Sequence, residues 1–175
     1  ANPPQHAVMV WRELPVPVIA AVHGVAYGGG FQIMLAADIR YIAADTKLSI
    51  MEINWGLVPD MAGMALLRRL VRDDVARELT YTGRVFSGNE AHQLGLATRV
   101  CADSYAEALA LARQIAQRPP KAMRAAKRLL DMAIDADARS ILLAESTEQA
   151  ALIGAAEQVE AVTAKLAKRP AVFVD

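Results

Sequence analysis

The chain has 175 residues, with 19 basic and 19 acidic side chains and an apolar fraction of 54%. Because the formal net charge is zero, no overall positive field attracts nucleic acid or an anionic membrane surface, and we expect neither as a partner. No apolar run is long enough to span a bilayer, and the N-terminal residues lack the pattern of a secretion signal, so the expected location is the cytoplasm.

The cysteine and histidine content limits the chemistry further. Cys101 is the only cysteine, which excludes an internal disulfide. The three histidines, His6, His23 and His92, are scattered and are interpreted as structural. Since no Cys/His cluster has metal-ligand spacing, we expect no metal site.

The first two thirds of the chain alternate between strand and helix patterns. In chain order, the predicted elements are the end of a helix at 8–14, a buried strand at 16–22, a helix at 30–37, strands at 39–43 and 48–53, and an amphipathic helix at 62–70. Two serine–glutamate pairs, Ser87 with Glu90 and Ser104 with Glu107, have the spacing of capping boxes. We therefore discount both glutamates as catalytic groups.

The last third is rich in Ala, Leu, Arg and Lys and predicts helices only. The three predicted helices lie at 121–133, 138–153 and 157–167. We therefore divide the chain into an α/β core at 1–118 and a helical region at 119–175. The helical region has too little apolar surface for a core of its own, so we expect it to pack on the first region or on a neighbouring subunit.

Three consecutive glycines, Gly28, Gly29 and Gly30, follow the first strand and open the next helix. The first N–H groups of a helix lack internal partners and suit an anion or a developing oxyanion. Phe31 and Gln32 follow the glycines, so neither a phosphate loop nor a dinucleotide fingerprint fits. The alternative is that the glycines only permit close packing of strand and helix.

Several ordered motifs together resemble the enoyl-CoA hydratase/isomerase (crotonase) superfamily. They are PVIAAVHGVAYGGG at 17–30, ADIRY at 37–41, GLVP at 56–59, RL at 69–70 and TGR at 82–84, with 91–96 beyond them. The resemblance implies an α/β fold, a crotonase-like spiral of ββα units with a C-terminal helical trimerisation region. It also implies a homotrimer or a hexamer made of two trimers. Superfamily members usually carry a further N-terminal region, so the chain looks like the C-terminal two thirds of such an enzyme.

The same resemblance implies an acyl-CoA thioester as substrate, with its carbonyl against the N–H of Gly29. Coenzyme A then arrives as part of the substrate, and no separate cofactor is implied. Glu52 matches the glutamate that transfers protons in hydratases and several isomerases. Since apolar residues flank it, a desolvated acid is expected, and a solvated surface glutamate is the alternative.

Three further positions qualify this picture. Gln32 stands where hydratases carry a second glutamate, and an amide orients water or substrate but accepts no proton at neutral pH. Asp60 matches an aspartate of the isomerases that convert 3,5-dienoyl-CoA to 2,4-dienoyl-CoA, although Pro-Asp is also an ordinary turn signal. Those isomerases carry an acid at the position of Gln32 as well, so the chain keeps two of their three acidic residues. Lys168 matches a lysine near the CoA nucleotide of an adjacent subunit, or is simply a solvated basic helix end.

We therefore expect isomerisation of an enoyl-CoA or dienoyl-CoA double bond through a thioester enolate. One alternative is an enoyl-CoA hydratase that relies on Glu52 alone. The other, from a different class, is a catalytically silent acyl-CoA-binding or assembly subunit.

Overall fold

The chain divides into two compact units in the computed structural model, which describes residues 2–173. The first unit is formed by the residues up to Leu14 together with Val18–Ala110, and the second by Pro15–Pro17 together with the residues from Leu111 onward. The boundary placed at 118 from the sequence lies further along the chain and stays a prediction.

The first unit begins with helix α1 (Pro3–Glu13). The Asn2 side chain accepts a hydrogen bond from the Gln5 N–H at 2.9 Å, and the Gln5 side chain accepts one from the Asn2 N–H at 3.1 Å. Prolines at the first two helical positions cost no internal hydrogen bond. The helix therefore starts five residues earlier than its apolar pattern alone predicts.

Two three-stranded sheets form the centre of this unit. The first sheet contains β1 (Ile19–Val22), β3 (Ile39–Ala43) and β6 (Arg99–Cys101), all parallel and in the order β1-β3-β6. The second contains β2 (Val25–Tyr27), β4 (Lys47–Ser49) and β5 (Phe86–Ser87) in the order β2-β4-β5, with β5 antiparallel. The strand predicted at 39–43 is thus confirmed.

The strand predicted at 16–22 begins only at Ile19, and the prediction missed β2. Gly24 has φ 68°, a conformation that side chains rarely adopt, and it turns the chain out of one sheet and into the other. The strand predicted at 48–53 is also shorter than expected, because a 3₁₀ turn occupies Glu52–Trp55. The apolar run that contains β1 and β2 therefore contributes one strand to each sheet.

Four further helices complete this unit: α2 (Gly29–Leu35), α3 (Gly63–Leu67), α4 (Asp73–Thr82) and α5 (Gly88–Gln93). Helix α6 (Ser104–Ala116) begins in this unit and ends in the second. Buried apolar side chains of the first four helices belong to one core cluster with Phe31, which meets Phe86 edge to face with ring centroids 5.9 Å apart. Phe31 lies in the first turn of α2, so this turn is held against the core.

The two predicted capping boxes had different outcomes. The Ser87 side chain accepts from the Glu90 N–H at 3.2 Å, but the Glu90 carboxylate pairs with Arg84 at 2.6 Å. At α6 the cap is Asp103, which accepts from the Ala106 N–H at 2.9 Å. The second box is therefore wrong, because the helix already begins at its serine.

The second unit contains α7 (Pro120–Met132), α8 (Ala138–Leu152) and α9 (Ala156–Leu166). Each helix lies within one residue of its predicted bounds. The Arg128 guanidinium binds both carboxylate oxygens of Glu148 at 2.8 Å, which ties α7 to α8. Among the described helices of the chain, none has the length and apolarity that crossing a membrane requires.

Candidate active site

The glycine turn between β2 and α2 begins the site. Gly28 has φ 51° and ψ −115°, and its N–H donates to the Ser49 carbonyl at 3.0 Å. Helix α2 starts at Gly29 without a side-chain cap. The Gly29 N–H, at the first helical position, therefore has no acceptor inside the helix and is available to a ligand.

The carboxylate of Glu52 lies beside this turn. Glu52 opens the 3₁₀ turn that ends at Gly56, whose φ is 67°. Its Oε1 accepts a hydrogen bond from the Gln32 Nε2 at 2.6 Å. Its Oε2 is buried and has no hydrogen-bond partner among residues 2–173. One carboxylate oxygen is thus held by the protein, while the other has no partner in that part of the chain.

Gln32 connects this carboxylate to a backbone turn. Its side chain is almost fully buried, and its Oε1 accepts from the Met61 N–H at 2.8 Å and from the Gly63 N–H at 3.0 Å. Ala62, between these two donors, has φ 65°. This left-handed residue turns both N–H groups toward one oxygen, in the manner of a backbone nest.

The glycines are required by space as well as by conformation. A Cβ added at Gly28 would lie 3.3 Å from the Glu52 Oε1, and one added at Gly29 would lie 3.0 Å from the Met61 Sδ. A side chain at either position would press on the carboxylate or on the residue that helps to hold Gln32. The turn therefore brings bare backbone next to the acid.

The structure brings Glu52, Gln32 and the glycine turn together. Asp60 follows the buried Pro59, is exposed, and makes no hydrogen bond or ion pair within the described part of the chain. It immediately precedes Met61, so its backbone belongs to the turn that binds Gln32. The roles assigned to these residues stay predictions.

Lys168 lies in the second unit. It follows α9 with φ 52° and is exposed to solvent. Its assignment to the CoA nucleotide stays a prediction. No group of three or more His, Cys, Asp or Glu side chains in the described residues could hold a metal ion.

Sequence reasoning missed the two backbone donors that orient Gln32. Their only trace in the sequence is Gly63, which opens an apolar helical pattern where a side chain would be expected. A Cβ at this position would lie 2.7 Å from the Gln32 Oε1. The glycine therefore leaves room for the buried amide.

A bare helix N-terminus next to a carboxylate combines two kinds of group that enzymes use, one to polarise a carbonyl and the other to move a proton. The sequence model of the enoyl-CoA hydratase/isomerase family matches residues 3–175. The chain belongs to this family and has the crotonase fold.

Named relatives agree with this assignment. The chain is 35% identical over 164 residues to the mouse mitochondrial methylglutaconyl-CoA hydratase, covering 90% of this chain and 52% of that protein. It is 36% identical over 166 residues to the human mitochondrial enoyl-CoA hydratase domain-containing protein 2, covering 91% and 57% respectively. The chain thus spans about half the length of the curated relatives it matches.

Solved structures show the same fold. The enoyl-CoA hydratase from Bacillus anthracis superposes with a TM-score of 0.93 at 32% identity, covering 97% of this chain and 67% of that one. The enoyl-CoA hydratase from Mycobacterium smegmatis superposes with a TM-score of 0.86 at 31% identity, covering 95% and 65%.

Proposed function

We propose that the protein isomerises the double bond of an enoyl-CoA or dienoyl-CoA thioester, with Glu52 as the group that moves the proton. The observation that carries this proposal is the asymmetry of the carboxylate. Its Oε1 is occupied by the Gln32 amide, whereas its buried Oε2 has no partner in residues 2–173. An anionic oxygen that is shielded from water and left unpaired is a suitable base for a carbon acid.

The proposed reaction starts with the thioester oxygen bound by the Gly29 N–H. Glu52 removes a proton from the carbon next to the carbonyl, and the electron pair of that C–H bond passes into the carbonyl to give an enolate. A helix N-terminus favours the negative charge that develops on this oxygen. Protonated Glu52 then returns a proton at the far end of the conjugated system, so the double bond moves and no atom is gained or lost.

The side chain at position 32 favours isomerisation over hydration. In the family pattern that hydratases follow, two glutamates hold and activate the attacking water. Here the second group is an amide, which cannot take a proton from water at neutral pH. Asp60 and Gln32 are proposed to position or polarise the substrate, and Lys168 to bind the CoA nucleotide.

Two other functions remain in competition with this one. The relatives named as hydratases support an enoyl-CoA hydratase that uses Glu52 alone. A catalytically silent acyl-CoA-binding or assembly subunit is the alternative from another class. We propose further that the protein is a homotrimer or a hexamer and that CoA enters only as part of the substrate; the cytoplasmic location stays a prediction.

The test is incubation of the full-length protein with 3,5-dienoyl-CoA or 2-enoyl-CoA in deuterated water, followed by mass spectrometry. Deuterium uptake or a shifted double bond without added water supports isomerisation, and gain of one water supports hydration. The Glu52→Gln variant should lose turnover and still bind the CoA ester. Binding without any change in either substrate by the unmodified protein would favour the silent subunit.

A further inference from the structure

We propose that Gln32 is the positioning residue that restricts proton transfer to the Oε2 of Glu52 and excludes the use of a second carboxylate for water addition. This inference rests on the proposed function and adds to it the reacting atom and the residue that selects the reaction. It depends on three observations within the first unit: the orientation of the Gln32 amide, its burial, and the unequal surroundings of the two Glu52 oxygens.

The backbone fixes which way the Gln32 amide faces. Two N–H groups, from Met61 and Gly63, converge on one oxygen at 2.8 and 3.0 Å. With the amide rotated by half a turn, its NH₂ would face these two donors and its oxygen would face the Glu52 carboxylate. Every one of these contacts would be repulsive, so the orientation with Nε2 toward Glu52 is the stable one.

Because the Gln32 amide is buried, water cannot replace its hydrogen-bond partners. The Gln32 side chain is 2% exposed. Leaving a buried amide without a hydrogen-bond partner is destabilising, and this penalty is larger than the net free energy that one hydrogen bond contributes to folding. The amide therefore stays attached to both the backbone turn and the carboxylate, and the 2.6 Å bond to Glu52 is retained.

The two oxygens of Glu52 therefore have different surroundings. Oε1 receives an N–H from Gln32, and this hydrogen bond makes it the less basic of the two oxygens. Oε2 is the remaining proton acceptor, and nothing in residues 2–173 competes for it. The amide also carries no negative charge, whereas a carboxylate at the same distance would place two like charges side by side.

The charged groups on the elements around Glu52 and Gln32 make no ion pair with Glu52 in the described part of the chain. Helix α2 carries no titratable side chain, and the turn that binds Gln32 carries Asp60. Helix α4 packs against the 3₁₀ turn of Glu52. Its charged residues form ion pairs at the surface: Asp73 with Arg77, Asp74 with Arg72, and Glu78 with Arg84.

The decisive variant is Gln32→Glu, with Gln32→Met as its matched uncharged control. In Gln32→Glu one new carboxylate oxygen can still accept from the two backbone donors, while the other faces Glu52 at the former distance of 2.6 Å. Two carboxylates so close share one proton. We expect the acid limb of the pH profile of kcat/KM to move upward by about one pH unit or more.

The product should change as well. With short-chain 2-enoyl-CoA and 3-enoyl-CoA in deuterated water, the unmodified protein should exchange protons and shift the double bond without gaining water. Gln32→Glu should gain water addition. Gln32→Met should lower proton exchange without adding water. An unchanged pH profile and an unchanged ratio of hydrated to isomerised product in Gln32→Glu would overturn the inference.

Infrared titration of the Glu52 carboxylate separates failure of this inference from failure of the proposed function, since it needs no turnover. If Glu52 titrates at higher pH in Gln32→Glu but the unmodified protein turns over no ester, the coupling of the two residues holds and the proposed function fails. If the ester is turned over and the titration of Glu52 is unchanged, the inference fails and the proposed function stands. Should Gln32→Glu not fold, Gly63→Ala displaces the same amide from the opposite side.

Discussion

Replacing Gly63 by Ala tests the turn that orients Gln32 while leaving the Gln32 and Glu52 side chains chemically unchanged. The new Cβ would lie 2.7 Å from the Gln32 Oε1 and 3.0 Å from the Cδ and Cγ of the same side chain. Ordinary contact begins at 3.4 Å, so the amide must retreat by about 0.7 Å. Because the core encloses Gln32, this movement is passed on to its bond with Glu52.

The variant should affect both stability and activity. Leaving the buried amide oxygen without its donors costs about 1–3 kcal/mol, and replacing a helical Gly by Ala returns about 0.5–1 kcal/mol. The free energy of unfolding should therefore fall by no more than about 2.5 kcal/mol. A displacement of the catalytic carboxylate that approaches 1 Å can lower kcat/KM by on the order of 10²-fold.

The assay compares kcat/KM for deuterium exchange into a 3-enoyl-CoA, which carries an acidic proton on the carbon next to the carbonyl, with the free energy of unfolding in urea. Gly30→Ala is the stability control, because a Cβ there meets nothing within 4 Å and the methyl group enters the same part of a helix. A Gly63→Ala protein with kcat/KM within twofold of the unmodified protein would show that Gln32 does not position Glu52.

Three further predictions concern stability. In Gly88→Ala the new Cβ would lie 2.1 Å from the Ala43 carbonyl oxygen, a backbone atom that cannot rotate away, so urea unfolding should show a loss of about 1–3 kcal/mol; a loss below about 0.5 kcal/mol would contradict this. Ala62→Gly should stabilise the protein by up to about 1 kcal/mol, since glycine adopts the φ of 65° without strain. A loss of stability in the same assay would show that Ala62 is not strained. The hydrogen bond from Arg169 lowers the pKa of Glu160 from its ordinary 4.5 to about 2. The stability it contributes is therefore present above pH 4.5 and lost as the pH falls toward 2; Glu160→Gln should flatten the acid unfolding curve in that window, and parallel curves for the two proteins would refute it.

Much of the helical architecture follows from local patterns. The three C-terminal helices lie within one residue of their predicted bounds, because their apolar spacing is a local signal that acts over a few residues. The glycine run and its helix were predicted for the same reason. Helix α1 was predicted too short, since prolines at its start conceal a capping box that depends on Asn2 and Gln5.

Contacts between distant segments could not be predicted in the same way. Gln32 and Glu52 were both singled out as separate candidates, but the 2.6 Å bond between them joins residues 20 positions apart. The donors from Met61 and Gly63 come from 29 and 31 positions away. No local propensity specifies such pairs, because backbone groups reach one another only after the sheets have set the direction of each segment.

The sequence by itself therefore determined the family, most of the helices, and the residue types available to the site: a glycine turn, one glutamate, and an amide in place of a second acid. Only the tertiary structure decided which oxygen of Glu52 is occupied and which is free. The physical reason is that hydrogen bonding is directional. The turn around Ala62 holds two N–H groups on one amide oxygen, and this contact, formed only in the folded chain, makes the two oxygens of the same carboxylate different.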